Sequence, residues 1–234
     1  MNQRQQVPLS VLDLSILREG ATSGDALAQT TALAQCADSS GYERFWVAEH
    51  HNMPSVACTA PTILIGHLAA LTSRINVGSG GVMLPNHAPL VVAEQFAMLE
   101  ALHPGRIDVG IGRAPGTDQR TAAAVRRSEG ALGAEDFPND LFELMDLLGD
   151  RRFDTTIGDH FKATPAASSY PKVFLLGSSG YSAHLAAKLG LPFGFAHHFD
   201  MGGTFEAAEI YRSRFVPSHI LSEPYMIVTA NVLA

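Results

Sequence analysis

Short apolar runs alternate with longer amphipathic segments along the whole chain. The apolar runs predict seven strands, at residues 8–14, 45–48, 75–77, 107–111, 173–176, 193–196 and 225–232. Apolar residues at helical spacing predict helices at residues 25–40, 61–72, 90–102, 137–148, 182–189 and 205–214. This alternation predicts a parallel α/β sheet, because parallel neighbours need a crossover connection. Functional residues of such sheets lie at the carboxyl ends of the strands.

The number of strands favours a barrel over an open sheet. Seven parallel strands left open would expose a long apolar edge, which proteins normally avoid. A (β/α)8 barrel closes that edge and typically takes about 250 residues. The 234 residues therefore predict one domain, a (β/α)8 TIM-type barrel that lacks strand eight and the C-terminal helix in this chain. Residues 114–172 are too long for a simple connection and predict an elaborated insertion.

Composition excludes several classes of protein. The net charge of −7 argues against nucleic-acid and acidic membrane partners. The first residues lack the apolar stretch of a signal peptide, and no apolar run reaches the length of a membrane span. Two cysteines, Cys36 and Cys58, form neither a disulfide framework nor a metal-binding spacing. We therefore expect a soluble cytoplasmic protein.

A turn rich in glycine and serine follows the strand predicted at residues 173–176 and precedes a helix. A helix amino terminus offers unpaired N–H groups and suits a phosphate, and serine hydroxyls add donors. Arg113, just past the strand at residues 107–111, could pair with the same phosphate. The alternatives are an ordinary capped helix and an exposed arginine. The candidate phosphate-binding residues are Arg113, Ser178, Ser179, Gly180, Tyr181 and Ser182.

Two histidine pairs follow other strands. His50 and His51 come after residues 45–48, and adjacent strand residues point to opposite sides, so one of them should face the barrel mouth. Histidine there can act as an acid, a base or a hydrogen-bond donor. Together with His197 and His198 the pair could instead bind a metal, which would indicate a metal-dependent hydrolase.

Gly80 and Gly81 make a third strand end too glycine-rich for an ordinary strand. Glycine within a strand often marks a bulge or a place where a ligand meets the backbone. A flat aromatic ligand stacked on this backbone would fit.

Four segments resemble the bacterial luciferase-like flavin monooxygenase family. They are residues 46–51 (WVAEHH), 77–85 (VGSGGVMLP), 103–113 (HPGRIDVGIGR) and 176–182 (LGSSGYS), the last followed by residues 189–192 (LGLP). Their order matches the family, and the match covers nearly the whole chain. This chain differs from luciferase at two positions. Luciferase carries a reactive cysteine where this chain has Gly112, and a carboxylate where this chain has Ser178. These departures argue against light emission.

The resemblance implies a function. Members bind reduced FMN, or in some branches a deazaflavin, within a (β/α)8 barrel. The ring would lie on Gly80 and Gly81, often joined by a cis peptide, and the phosphate on the turn and Arg113. His50 or His51 would act near the flavin. The resemblance further implies dioxygen, a small organic substrate and a separate flavin reductase.

Other functions stay open at this point. They are a deazaflavin-dependent reductase on the same fold, a flavin-binding protein without turnover, and the metal-dependent hydrolase. Apolar residues on the second and third helices exceed one inward stripe and predict a homodimer. These residues are Ile63, Leu64, Leu68, Val91, Phe96 and Met98.

Overall fold

The computed structural model describes residues 7–114, 116–126, 136–153, 155–166, 168–199 and 202–232. Its strands are β1 (Ser10–Asp13), β2 (Arg44–Val47), β3 (Asn76–Ser79), β4 (Val82–Met83), β5 (Ile107–Gly112), β6 (Lys172–Gly177), β7 (Phe193–Phe195) and β8 (Met226–Val228). They form one parallel sheet in the order β1-β2-β3-β5-β6-β7-β8. β3 and β4 both pair with β5, so they are two segments of one sheet position, interrupted at Gly80 and Gly81. The seven predicted strands and their parallel order are confirmed.

The sheet curls, because residues from distant positions meet inside it. The Arg44 guanidinium of β2 donates to the hydroxyl of Tyr225, next to β8, over 2.9 Å. Its carbon also lies 5.4 Å from the Tyr225 ring centroid. In the part of the chain that the structure describes, β1 and β8 are the two edges and no pairing joins them. The TIM-type fold is confirmed, and the gap between these edges fits the predicted lack of strand eight.

Helices cover the outside of the sheet. They are α1 (Ser23–Ser39), α2 (Pro61–Leu71), α3 (Pro89–Leu102), α4 (Gln119–Arg126), α5 (Phe137–Leu147), α6 (Thr156–His160), α7 (Gly180–Leu189) and α8 (Thr204–Ser213). Helix α1 begins at a capping box, in which Thr22 accepts from the Asp25 N–H and Asp25 accepts from the Thr22 N–H. Proline occupies the first turn of α2 and of α3, where its missing N–H costs nothing.

Successive strand residues point alternately into the core between sheet and helices and into the inside of the curled sheet. On β5, Ile107, Val109 and Ile111 are buried in the apolar core shared with α2 and α3. The residues between them face the inside of the curled sheet, where Asp108 meets Arg44. Such two-sided burial explains why the strands read as continuous apolar runs.

The segment between β5 and β6 carries α4, α5 and α6, of which α4 and α6 were not predicted. Residues 115, 127–135, 154 and 167 of the predicted insertion lie outside the described residues. None of the helices that the structure describes is long and apolar enough to cross a membrane.

Candidate functional site

A cavity of about 250 Å³ opens at the carboxyl ends of the strands. Every sheet position from β2 to β8 contributes a residue at or just past its end: Ala48, Gly80, Gly112, Gly177, Ala196 and Thr229. Most of the lining is apolar, and a few polar groups converge on it. A barrel of this type places its active site here, so the cavity is the candidate site.

Backbone and one aromatic ring form part of the cavity wall. The peptide between Gly80 and Gly81 is cis, as the resemblance implied. A Cβ atom on Gly80 would lie 2.6 Å from Cδ1 of Leu12, and one on Gly81 would lie 2.7 Å from Cδ1 of Leu176. Neither position accepts a side chain, so bare backbone lines the cavity beside Trp46.

The predicted phosphate-binding residues come together. Arg113, Ser178, Ser179 and Ser182 line the same cavity. Ser179 is the N-cap residue of α7, and its side chain makes no capping hydrogen bond. The first N–H groups of α7 therefore remain available to an anion.

Two further residues of that prediction have different positions. Tyr181 does not line the cavity, but the Arg113 guanidinium lies 4.3 Å from its ring centroid. This stacking holds the guanidinium in place. Gly180 begins α7 and does not line the cavity either. A Cβ atom on Gly180 would lie 3.2 Å from Cδ1 of Ile210, so the glycine allows α7 to pack against α8.

His50 is the histidine of the first pair that lines the cavity. Its Nδ1 atom is buried and has no hydrogen-bond partner among the described residues. Burial lowers the pKa of His50, and the nearby charge of Glu49 opposes that shift only in part. The ring is therefore neutral near pH 7, with a buried polar atom free for a ligand.

His51 belongs to a hydrogen-bonded cluster centred on Glu49. The Glu49 side chain is 1% exposed and accepts from Nε2 of His51 (2.9 Å), Nε2 of His87 (2.8 Å) and the N–H of Met83 (3.0 Å). Burial raises the pKa of the Glu49 carboxyl, but these hydrogen bonds outweigh it and the net pKa is lowered. The cluster joins the end of β2 to β4 and to the loop before α3.

A second histidine, His198, also lines the cavity; the sequence indicated it only as a possible metal ligand and not as a catalytic residue. Its Nδ1 atom lies 2.6 Å from Oγ1 of Thr229, which in turn lies 3.2 Å from the carbonyl oxygen of Phe195. Burial and the neighbouring His197 lower the pKa of His198. Nδ1 of His197 is 2.7 Å from Oγ1 of Thr204, and His197 does not line the cavity.

A buried ion pair lies inside the curled sheet next to the cavity wall. Asp108 is fully buried, and its Oδ2 atom is 3.1 Å from Nε of Arg44. The same oxygen accepts from the indole N–H of Trp46 over 3.0 Å. Burial raises the pKa of Asp108 to about 6, against the effect of Arg44. Phe174 packs edge-on against Trp46, with ring centroids 4.9 Å apart.

The alternative of a metal-dependent hydrolase lacks a ligand set in the part of the chain that the structure describes. No group of three or more histidine, cysteine, aspartate or glutamate side chains there could hold a metal ion. His50 and His198 line one cavity, but His51 is bound to Glu49 and His197 lies beside Thr204.

Comparison with known proteins identifies the family. The family model described as luciferase-like monooxygenase matches residues 8–232. The chain belongs to the luciferase-like monooxygenase family. A luciferase-like monooxygenase of Escherichia coli is 48% identical over 228 residues, which cover 97% of this chain and 67% of that protein. The predicted family membership and the predicted oxidoreductase class are confirmed.

Solved structures of other proteins agree with the fold. Apo-MsnO8 has a TM-score of 0.88 and 43% identity, over 95% of this chain and 65% of its own. The oxygenating constituent of 3,6-diketocamphane monooxygenase, in complex with FMN, has a TM-score of 0.73 at 16% identity, over 90% and 64% of the two chains. An F420-dependent secondary alcohol dehydrogenase has a TM-score of 0.61 at 18% identity, over 89% and 66%. The last two show the fold alone. The chain spans about two thirds of the length of these relatives.

Proposed function

We propose that this member of the luciferase-like family is a flavin-dependent monooxygenase, which uses reduced FMN and dioxygen on a small organic substrate. One observation carries the proposal. A single cavity brings together the bare backbone of Gly80 and Gly81, the guanidinium of Arg113 and the serine turn before α7. A flavin mononucleotide needs a flat surface for its ring and a cationic end for its phosphate.

The residues of the cavity fit that cofactor. The wall at Gly80 and Gly81 is free of side chains because neither position has room for one. Arg113 and the first turn of α7 would hold the phosphate, since a guanidinium and helix N–H groups both suit phosphate oxygens. The oxygenating constituent of 3,6-diketocamphane monooxygenase, which shares the fold, is in complex with FMN, and this supports FMN as the cofactor of the present chain. When bound, reduced FMN supplies the electrons that activate dioxygen.

The protein side chains would control protons and water. His50 offers a neutral ring with a partner-free Nδ1 atom in the cavity, so it can accept or donate a hydrogen bond there. His51 would act indirectly, because its ring is held by Glu49 at the end of β2. The mostly apolar lining excludes bulk water from the reacting groups.

Flavin titration of matched variants tests the proposal. Arg113→Ala should weaken FMN binding by about tenfold or more, because a charge-assisted hydrogen bond is lost. Ser179→Ala should weaken it less, and Arg113→Lys should fall between Arg113→Ala and the parent. Riboflavin, which lacks the phosphate, should bind all of them alike. Arg212→Ala, at an exposed position of α8, serves as the control for loss of a surface charge.

Equal FMN affinity in the parent and in Arg113→Ala would contradict the phosphate assignment. An equal loss of riboflavin affinity would do the same, since it would indicate general damage to the cavity.

A deazaflavin-dependent reductase is the second candidate. It is supported by the fold shared with the F420-dependent alcohol dehydrogenase. Such an enzyme transfers hydride and uses no oxygen, and a flavin-binding protein without turnover would do neither. Titration with both cofactors, followed by oxygen uptake with reduced FMN, separates the three possibilities.

The partners remain part of the proposal. A separate flavin reductase would deliver reduced FMN, and the cytoplasmic location expected from the sequence stays a prediction. We also propose a homodimer through the outer faces of α2 and α3. Of the six apolar residues considered, half belong to the core and half are exposed, namely Ile63, Val91 and Met98. The exposed three form the basis of that proposal.

A further inference from the structure

Trp46 is the only tryptophan of the chain, and it separates the cavity from the buried ion pair. It is 5% exposed and lines the cavity beside Gly80. A Cβ atom on Gly80 would lie 3.1 Å from Cβ of Trp46, so the ring and the glycine backbone are neighbouring parts of one wall. Whatever fixes the indole therefore fixes the shape of that wall.

One polar contact fixes the indole. Its N–H is the ring's single hydrogen-bond donor, and it donates to Oδ2 of Asp108 over 3.0 Å. Asp108 lies on β5 and faces the inside of the curled sheet, where its Oδ2 atom is 3.1 Å from Nε of Arg44. The ring also packs edge-on against Phe174, an apolar contact that offers the indole N–H no acceptor.

We infer that Asp108 is a positioning residue for the proposed flavin site, which acts by holding the Trp46 ring as a rigid part of the cavity wall. The inference rests on the proposed function, because the ring of the cofactor would lie against this wall. Burying the Arg44–Asp108 pair costs desolvation energy, so the pair by itself is weak evidence of stabilisation.

Two double variants isolate the contact. Arg44→Met with Asp108→Asn removes the ion pair but keeps an amide oxygen for the indole N–H. Arg44→Met with Asp108→Leu removes the ion pair and that acceptor, at a similar side-chain volume. Replacing a buried ion pair by apolar residues of like volume is often tolerated, so both variants should fold.

The indole signal gives the first measurement. A ¹⁵N-labelled sample shows a single tryptophan indole N–H resonance, because the chain has one tryptophan. Its position and its protection from hydrogen exchange should be retained in the asparagine variant and lost in the leucine variant. The same signal should be unchanged by His197→Asn, a polar substitution that lies away from the cavity wall.

Cofactor affinity gives the second measurement. The leucine variant should bind FMN about fivefold to tenfold more weakly than the asparagine variant, the effect of one neutral hydrogen bond. Riboflavin should show the same ratio, because the wall faces the ring and not the phosphate. Adding Trp46→Phe to both variants should remove the difference, because phenylalanine has no N–H to position.

Any one of three results would overturn the inference. The first is equal FMN affinity of the two double variants, and the second is a difference in FMN affinity that persists after Trp46→Phe is added. The third is the same indole N–H signal in both double variants. If the parent protein bound neither FMN nor riboflavin, the proposed function would fail, whereas the Asp108–Trp46 contact would still be judged by the indole signal.

Discussion

Glu49 joins three segments, so its substitution tests how the end of β2 is built. The Glu49→Ala variant removes the acceptor of four donors: the rings of His51 and His87, the N–H of Met83 and, at 3.5 Å, the side-chain amide of Asn86. The Glu49→Gln variant keeps one oxygen and gains an NH2 group. The two substitutions differ in how many of these hydrogen bonds can be restored.

The geometry gives the magnitudes. The His51 and His87 side chains are 20% and 31% exposed, so their rings can turn to water when the carboxylate is removed. The Met83 N–H cannot, and an unsatisfied buried donor costs about 1–3 kcal/mol. With a smaller loss at each histidine, Glu49→Ala should cost about 3 kcal/mol. A glutamine can give its oxygen to Met83 and its two N–H groups to the two rings, so Glu49→Gln should cost about 1 kcal/mol.

Urea and thermal unfolding measure these costs. In a chain of 234 residues about 3 kcal/mol corresponds to a fall in melting temperature of about 6–12 °C. The pKa of Glu49 is lowered in the folded state, so its stabilisation is present above the unfolded value of 4.5 and is lost as the pH falls through the folded value. The difference between parent and Glu49→Ala should therefore be constant from pH 6 to 8 and shrink in acid.

Equal destabilisation by alanine and glutamine would refute the count of donors and acceptors. A difference that persists unchanged at pH 3 would show that the charge of Glu49 contributes nothing.

Other predictions concern protons and assembly. His198 should be protonated on Nδ1, because only that tautomer makes both contacts of the Thr229 hydroxyl into hydrogen bonds; ¹⁵N shifts of the ring test this, and Thr229→Val should reverse it. Asp108 should titrate near pH 6 by carboxyl ¹³C shifts. Because its folded pKa lies above 3.8, its contribution to stability should fall as the pH rises between about 4 and 6. Light scattering should give a dimer mass, and Ile63→Lys with Met98→Lys should give a monomer without loss of helix content.

The sequence predicted the strands and the barrel because two-sided burial leaves a strong apolar signal. It did not distinguish His50 from His51, since alternation says only that they diverge. His50 lies four positions after Trp46, and both line the same cavity, so a buried aromatic residue upstream would have been a usable signal.

Other details depend on tertiary contacts that no local pattern carries. Asp108 interrupts an apolar strand, which marks it as unusual, but its partners Arg44 and Trp46 come from another strand. Thr22, Ser23 and Asp25 are all residue types that cap helices, and in the structure Thr22 is the cap of α1 and Asp25 completes the box. Several adjacent residues of the right type made that position ambiguous.

Leu176 sets a limit on how this cavity can be redesigned. Its side chain fills space left by three glycines: Cβ atoms on Gly81, Gly110 and Gly194 would lie 2.7, 2.9 and 2.6 Å from its methyl carbons. Substitutions at these glycines therefore cannot help to admit larger substrates, because every one of them adds side-chain volume to a crowded wall. A smaller residue at position 176, which lines the cavity, would instead add volume to the cavity directly. It would relieve the contact at Gly194, whereas the backbone oxygens of Gly110 and Ser79 would still exclude a side chain at Gly81 and Gly110. Position 176 is therefore the efficient target for a library that widens the substrate range.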